Sequence, residues 1–578
     1  MRCLFAHLRD YRWEAVCAPL FKMLEALFDL FVPLVMSNII NIGILSRDTG
    51  YILRQSGLLV LLAVVGLVCS VTAQYFSAKA AVGCAAGLRR SLFRHIQSLG
   101  FSEMDAIGPS TLITRMTSDI NQVQNGVNLA LRLLLRSPFV VFGAVILSFT
   151  VDRQMGRIFL AALPVLAVII FGVMFASAPV YRKVQAKLDD LLSVTRENLT
   201  GVRVVRAFHR EDAEEALFRA ANDVLTRTQL RAGRISSLMN PLTYLVVNLA
   251  VIAILQSGAV KVNAGALLPG NVYALISYMS QILIELVKLA NLVVLLTRST
   301  ACAGRIQSVL DAKPGMVFPE GSNAVEEDPA SPAVVFSHVS LQYGTAGSES
   351  LTDLSFTALR GQTIGIIGGT GSGKSSLVNL IPRFYDATSG SVTLLGRPAA
   401  DWPRKALRER VAVVPQRAQL FSGTIRSNLA FGCLDATDDM LWSALETAQA
   451  ADFVRQKPGG LDEAVEQGGR NFSGGQRQRL TIARALVTHP EILILDDSAS
   501  ALDFATDAAL RKALAALPGD MTVFLVSQRS SSLQHADQIL VLDDGRLVGC
   551  GTHSQLLETC GTYREIYESQ FRRGEDTV

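Results

Sequence analysis

The stretch GGTGSGKS, Gly368 to Ser375, fits the spacing G-x-x-x-x-G-K-[ST]. Glycines at these positions let successive backbone N–H groups approach phosphate oxygens without interference from a Cβ. Lys374 places a cation at the β- and γ-phosphates, and the Ser375 hydroxyl is a ligand for Mg²⁺. A second acidic element, EILILDD, ends an apolar run at Asp496, where a carboxylate can hold the water shell of the same metal. Between them lies NFSGGQRQRLTIARAL. Ser473, Gly474, Gly475 and Gln476 open an amphipathic helix there, so Ser473 reads as an N-cap and the free N–H groups as a seat for an anion.

These residues require particular elements around them. TIGII before the glycines predicts a buried strand, and SSLVNL after them predicts a helix whose N-terminus adds partial positive charge. ILIL before Asp496 predicts a second buried strand. From residue 334 onward, short apolar strands alternate with amphipathic helices, which predicts an α/β domain over 334–578. Residues 311–333 carry four prolines and an acidic cluster and read as a linker.

Residues 1–310 have another character. The chain of 578 residues is 50% hydrophobic and 18% charged, with a mean hydropathy of +0.33. Six apolar stretches, at about 15–42, 54–79, 128–151, 157–179, 240–260 and 271–299, approach the roughly 20 residues that cross a bilayer. The long connections after the second and fourth stretches are rich in Lys and Arg, among them Arg89, Arg90, Arg182, Lys183 and Arg206. That bias sets them, and both chain ends, on the cytosolic side of the cell membrane. A net charge of +4 gives no support to a nucleic-acid partner. Eight scattered cysteines show no metal spacing and no disulfide framework. The basic, amphipathic start reads as a cytosolic lead-in helix, not a signal peptide. Within the first stretch, Glu25 and Asp29 lie on one helix face with Lys22, and Glu285 lies three residues before Lys288 in the sixth. Charges at membrane depth face a bundle interior or water, so Glu25, Asp29 and Glu285 are candidates for a polar substrate cavity. Interhelical ion pairing, or a place in cytosolic helix extensions outside the bilayer, is the alternative.

In this order the motifs resemble those of an ATP-binding cassette exporter half-transporter, a six-span membrane domain fused to an α/β P-loop domain. The resemblance covers essentially the whole chain. It implies ATP and Mg²⁺ as ligands, with Gly368, Gly369, Thr370, Gly371, Ser372, Gly373, Lys374, Ser375 and Ser376 around the phosphates. Tyr343 in SLQYG is similar to the aromatic residue that stacks on adenine, and Gln416 to the glutamine that joins Ser375 and Asp496 at the metal. FSGGQ resembles the family signature, with Phe472 in the leucine position; its Ser473 to Gln476 would meet ATP held by a partner. SALD, that is Ser500, Ala501, Leu502 and Asp503, is similar to the loop at the dimer interface. FSEMDAIGPSTLITRMTSDINQVQ and ENLTGVRVVRAFHRED resemble the two intracellular loops that dock on the cassettes. With the spans ahead of the cassette, the order is that of an exporter of drugs, lipids or other small amphipathic molecules.

Two positions depart from the family pattern. The general base is a glutamate in the family, and Asp497 stands there. Asp and Glu differ by under about 1 pKa unit, so acidity is not the issue. A side chain one methylene shorter retracts by about 1.5 Å, and misplacing a catalytic group by about 1 Å can cost on the order of 100-fold. Gln528 stands where the family has a histidine that contacts the γ-phosphate. An amide still donates a hydrogen bond but cannot become cationic. Together they imply a degenerate site in the manner of heterodimeric multidrug-type exporters, completed by a second half-transporter with glutamate and histidine. A slow homodimer and an ATP-binding regulatory subunit that gates a partner are the alternatives.

Overall fold

A computed structural model describes residues 2–319, 330–344, 349–498, 500–517 and 519–571. Residues 320–329 of the expected linker lie outside them. The chain separates into two compact units, Met1–Gln97 with Ser110–Ala312 and Ser98–Pro109 with Lys313–Val578.

The first unit is helical. Its main elements are α1 (Arg12–Asn38), α2 (Thr49–Ser98), and, after the short α3 (Phe101–Ile107) that belongs to the second unit, α4 (Ile120–Leu133), α5 (Arg136–Val151), α6 (Arg153–Thr200), α7 (Val202–Ala207), α8 (Glu211–Ser237), α9 (Met239–Asn263) and α10 (Pro269–Leu310). Among the described residues, six helical segments are long and apolar enough to cross a membrane: Arg12–Ile44, Thr49–Ser98, Pro109–Val151, Arg153–Thr200, Glu211–Asn263 and Pro269–Leu310. Each contains one expected apolar stretch and extends past it into polar sequence. The buried core gathers small and aromatic side chains, with Phe159 and Tyr278 fully buried. The Tyr278 hydroxyl donates to the Leu30 carbonyl at 2.8 Å. The short connections are fastened too. Asp152 caps α6 by accepting from the Gln154 and Met155 N–H groups and takes an ion pair from Lys261 of α9 at 2.6 Å.

Among the described residues the second unit holds two main sheets and a two-stranded ribbon that pairs Gly423–Thr424 with Ala464–Val465. The first has strand order β2-β1-β4-β5, from β1 (Val334–Leu341), β2 (Leu351–Ala358), β4 (Ser389–Leu394) and the two-residue β5 (Arg397–Pro398). The second runs β10-β9-β3-β8-β7-β6, from β3 (Thr363–Gly368), β6 (Val411–Val414), β7 (Ile492–Asp496), β8 (Thr522–Val526), β9 (Gln538–Asp543) and β10 (Arg546–Gly551). Strands β9, β3, β8, β7 and β6 are parallel. A parallel sheet is covered on both faces, which is why β7 and β8 are buried at every residue and are apolar from Ile492 to Leu495 and from Val523 to Val526. Alternate side chains enter two cores: Leu493, Leu495, Val523 and Leu525 on one face, Ile492, Ile494, Phe524 and Val526 on the other.

Candidate nucleotide site

Three neighbouring parallel strands end at one place. Val526 of β8 is level with Asp496 of β7 and with Ile366 of β3. The segments that follow are the glycine loop, Asp497 and Gln528, so the register gathers residues distant in sequence at the carboxyl edge of the sheet, where open α/β sheets bind ligands. The Asp497 N–H donates to the Val526 carbonyl at 3.1 Å and the Ser527 N–H to the Ile366 carbonyl at 3.1 Å, tying the three ends together.

Thr370, Gly371, Gly373, Lys374, Ser375 and Ser376 line a cavity of about 420 Å³ together with Gln416, Asp496, Asp497 and Gln528. The helix after the loop is α11 (Lys374–Leu380), capped by Gly373 at φ +93°. A Cβ there would lie 2.7 Å from Leu351 Cδ2 and 2.8 Å from the Ser350 carbonyl oxygen, so space and backbone both demand glycine. Lys374 Nζ donates to the carbonyls of Gly368 at 2.9 Å and Gly369 at 2.5 Å. The ammonium is thus held over its own loop, and burial lowers its pKa, against the pull of Asp497 and Asp496. Ser375 Oγ donates to Asp496 Oδ1 at 3.1 Å. Gln416 Nε2 donates to Asp497 Oδ2 at 3.4 Å. Burial raises both carboxyls above the ordinary range, with partial relief from Ser375 for Asp496 and from Gln416 for Asp497.

This donor set fits a magnesium nucleotide. A hydroxyl and a carboxylate 3.1 Å apart, with an amide oxygen on the adjacent Gln416, are hard oxygen ligands of the kind Mg²⁺ takes. Ser375, Gln416 and Asp496 would hold the ion, which when bound neutralises phosphate charge.

The signature segment forms a separate surface. Helix α12 (Gly474–Leu486) begins with a capping box: the Gln476 N–H donates to Ser473 Oγ at 3.3 Å and the Ser473 N–H to Gln476 Oε1 at 3.0 Å. Ser473 and Gly474 are exposed. The N-cap and the open helix end therefore coexist. Gly475 allows close approach by the loop Ser500–Asp503, since a Cβ there would stand 3.2 Å from the Ala501 carbonyl oxygen. In that loop Leu502 is buried, Ser500 and Ala501 are exposed, and Asp503 accepts from the Thr506 N–H to cap α13 (Phe504–Ala515). Phe472 is buried in the core, with Lys457 Nζ 5.0 Å above its ring.

The ABC transporter transmembrane region matches residues 16–286 and the ABC transporter domain matches residues 351–500. An uncharacterised ABC transporter ATP-binding protein of Mycobacterium tuberculosis is 36% identical over 569 residues, covering 98% of this chain and 97% of its own. The chain belongs to the ABC transporters. It is also 30% identical to an ATP-dependent lipid A-core flippase of Methylococcus capsulatus, over 97% of this chain and 93% of that one. Among solved structures, a bacterial Atm1-family ABC exporter with ATP bound shares the fold, with a TM-score of 0.79 over 97% of this chain and 98% of that chain at 23% identity.

The site of this ABC transporter also contains residues that motif reading passes over. Glu349, Ser350, Asp544 and Gly545 line the same cavity. The Gly545 N–H donates to the Ser372 carbonyl at 3.3 Å and so buttresses the phosphate loop from β9–β10. Sequence carries no signal for that contact beyond an Asp-Gly turn. Tyr343 is half-buried outside the cavity lining, edge-on to Tyr385 at 5.0 Å, and burial raises its phenol pKa. Gln528 contributes its carbonyl to Gln570 Nε2 at 2.7 Å. The neighbouring Arg529 lies 4.9 Å over the Phe504 ring.

In the membrane unit the candidate charges join two clusters. Arg136 bridges Glu285 at 2.5 Å and Asp29 at 2.9 Å, and Glu285 also accepts from Ser137 at 2.7 Å and Lys288 at 2.9 Å. Glu285 is buried, whereas the Asp29 side chain is 48% exposed. Glu25 pairs with Lys22, which donates to Ser70 at 3.1 Å.

Proposed function

We propose that this chain is one half of an ATP-driven exporter of a small amphipathic molecule, a drug or a lipid, and that its own phosphate-loop site binds MgATP but hydrolyses it slowly. The observation that carries the reading is that Asp497 and Gln528 line the same cavity as Lys374 and Ser375. Asp497 sits in the seat of the base with its carboxylate shortened by one methylene, and Gln528 offers no cation to a γ-phosphate. The exposed Ser473 and Gly474 then serve ATP on the phosphate loop of a different half-transporter, one that carries glutamate and histidine. Helix α7 is consistent with such a pairing: Val204 is 61% exposed and nearby Phe208 is 73% exposed, an apolar surface for a second chain to cover. The chain spans the cell membrane with both ends in the cytosol, as the Lys and Arg bias supports.

The purified chain alone is expected to show little ATPase activity, and co-expression with a glutamate-bearing half-transporter to restore it. Robust turnover by a strictly homodimeric preparation overturns the reading. The double substitution Asp497→Glu with Gln528→His is expected to raise hydrolysis at this site by about 10- to 100-fold; no gain refutes the geometric explanation.

Asp29, with Glu25 and Glu285 beside it, is proposed to face a polar substrate cavity, because its carboxylate keeps an exposed edge while paired to Arg136. Asp29→Asn is expected to lower efflux of cationic dyes from vesicles several-fold. Unchanged efflux across several cations removes this role.

A further inference from the structure

Between α6 and α8 runs an open groove of about 690 Å³ whose walls carry four cations: Lys183 and Lys187 from α6, Arg231 and Arg234 from α8. The two helices pack side by side, and the Tyr181 hydroxyl lies 3.3 Å from Ser236 Oγ, which fixes their register. Both helices present the same spacing to the groove. Val180, Lys183 and Lys187 are three and four apart on α6, as Thr228, Arg231 and Ile235 are on α8, so each set occupies one helix face. Half-buried Val180 and Ile235 close the apolar end, next to Tyr181 and Ser236.

The position along the chain is as telling as the charge. From Ile158 to Tyr181, α6 has no charged residue; Arg182 and Lys183 are the first. From Ile235 to Val260 the chain again has none, and Arg234 is the last before it. The groove therefore straddles the boundary between apolar and polar sequence on both helices, with its apolar end on the lipid side and its cations at headgroup depth. Among the described residues no carboxylate pairs with Lys183, Arg231 or Arg234; Lys187 shares its charge with Asp190 at 2.9 Å. Cations spread at random by the topological bias would not converge on one groove. These four do, and three of them keep their donors open.

We propose that this groove binds the phosphate headgroup of an anionic phospholipid in the cytosolic leaflet, with the acyl chains lying along the apolar faces of α6 and α9. The phosphate matches the open donors of Arg231 and Arg234, and Lys183 adds a third positive charge. A volume near 690 Å³ accommodates a headgroup without enclosing the chains. The leaflet follows from the orientation proposed above. Binding itself needs neither ATP nor a completed dimer site, so it stands or falls apart from the hydrolysis reading.

The test uses the full chain in detergent micelles without nucleotide and a fluorescent phosphatidylglycerol probe. The triple variant Lys183→Gln, Arg231→Gln, Arg234→Gln is expected to weaken binding by about 100-fold, the factor for three interfacial charges acting on one phosphate. A control, Arg182→Gln, Arg196→Gln, Arg227→Gln, removes as many exposed charges from the same two helices but none from the groove, and is expected to lose at least 10-fold less. Equal losses in the two variants would overturn the proposal in favour of a diffuse basic surface. Retained binding in the triple variant also overturns it. Inorganic phosphate at millimolar concentration should leave the probe bound; complete displacement would make a soluble phosphate the occupant and refute the lipid. Melting temperature and ATP binding check that the triple variant is folded. If it is not, Arg231→Gln alone replaces it, with a loss of about 5-fold expected and no loss counting against the site.

Discussion

Asp496 and Asp497 are adjacent in sequence but differ in backbone geometry and in partner. Asp496 ends β7 in regular extended geometry and takes a hydrogen bond from Ser375. Asp497 has turned to φ +47°, a left-handed conformation that Asp tolerates better than most residues, and meets Gln416 instead. Burial raises both carboxyls, so their ionised forms cost folding stability at neutral pH. The sign follows from proton binding. A carboxyl whose folded pKa exceeds its unfolded one holds more protons in the folded state, so stability falls as pH rises from the ordinary 3.8 through the raised folded value. Asp496→Asn should therefore raise the nucleotide-free melting temperature of the full chain at neutral pH, by about 2–4 °C per kcal/mol of relieved desolvation. It should also flatten the fall of stability with pH while abolishing Mg²⁺-dependent ATP binding. Thermal melts across the acid range, with and without MgATP, check both halves; a destabilised variant with an unchanged pH slope would contradict the assignment.

At the scale of elements, the strand–loop–helix around Lys374 is rigid where it must pass close to other backbone and permissive elsewhere. Gly373→Ala should cost about 1–3 kcal/mol, because φ +93° disfavours any Cβ and because that atom would meet Leu351 and Ser350 below 3 Å. At Gly369 a Cβ would meet nothing within 4 Å, so Gly369→Ala should leave the melting temperature nearly unchanged. Paired melts of the two variants without nucleotide separate local strain from a general intolerance of the loop. These elements were legible in sequence because their signals are local: an apolar run, glycines at fixed spacing, a carboxylate at a strand end. What escaped depends on distant chain segments meeting. Nothing in SLQYG foretells that Tyr343 packs edge-on against Tyr385, or that Gly545 supports Ser372. Likewise, spacing grouped Glu285 with Lys288, yet its shorter bond is to Arg136, a residue 149 positions earlier on another helix. The intracellular loop around FSEMDAIG read as a docking segment, and in the structure α3 is part of the second unit. Its Phe101 ring lies 4.6 Å from Phe384 and its Asp105 accepts from the Tyr385 hydroxyl.

The whole molecule raises the question of which chain completes which site. Within one chain, the phosphate-loop cavity and the exposed end of α12 are separate surfaces, and no residue from Ser473 to Gln476 lines that cavity. If each ATP lies between one chain's loop and the other's signature, substitutions at the two surfaces of this chain report on different sites. On the proposed heterodimer, Lys374→Ala would remove nucleotide affinity only from this chain's own phosphate-loop site, while Ser473→Arg would place a bulky cation on the signature proposed to serve the partner's site. In the co-expressed pair, Ser473→Arg is therefore expected to reduce ATP turnover by about 100-fold or more, the order seen when an oriented donor to a reacting oxyanion is lost. Lys374→Ala should leave a substantial fraction of it. Single-turnover hydrolysis with both variants distinguishes the cases, because a symmetric homodimer predicts the same loss from either substitution. An asymmetric outcome places catalysis on the partner's phosphate loop and leaves this chain's Asp497 and Gln528 as a nucleotide clamp. Equal losses would mean that both sites turn over and that the shortened carboxylate still reaches its water.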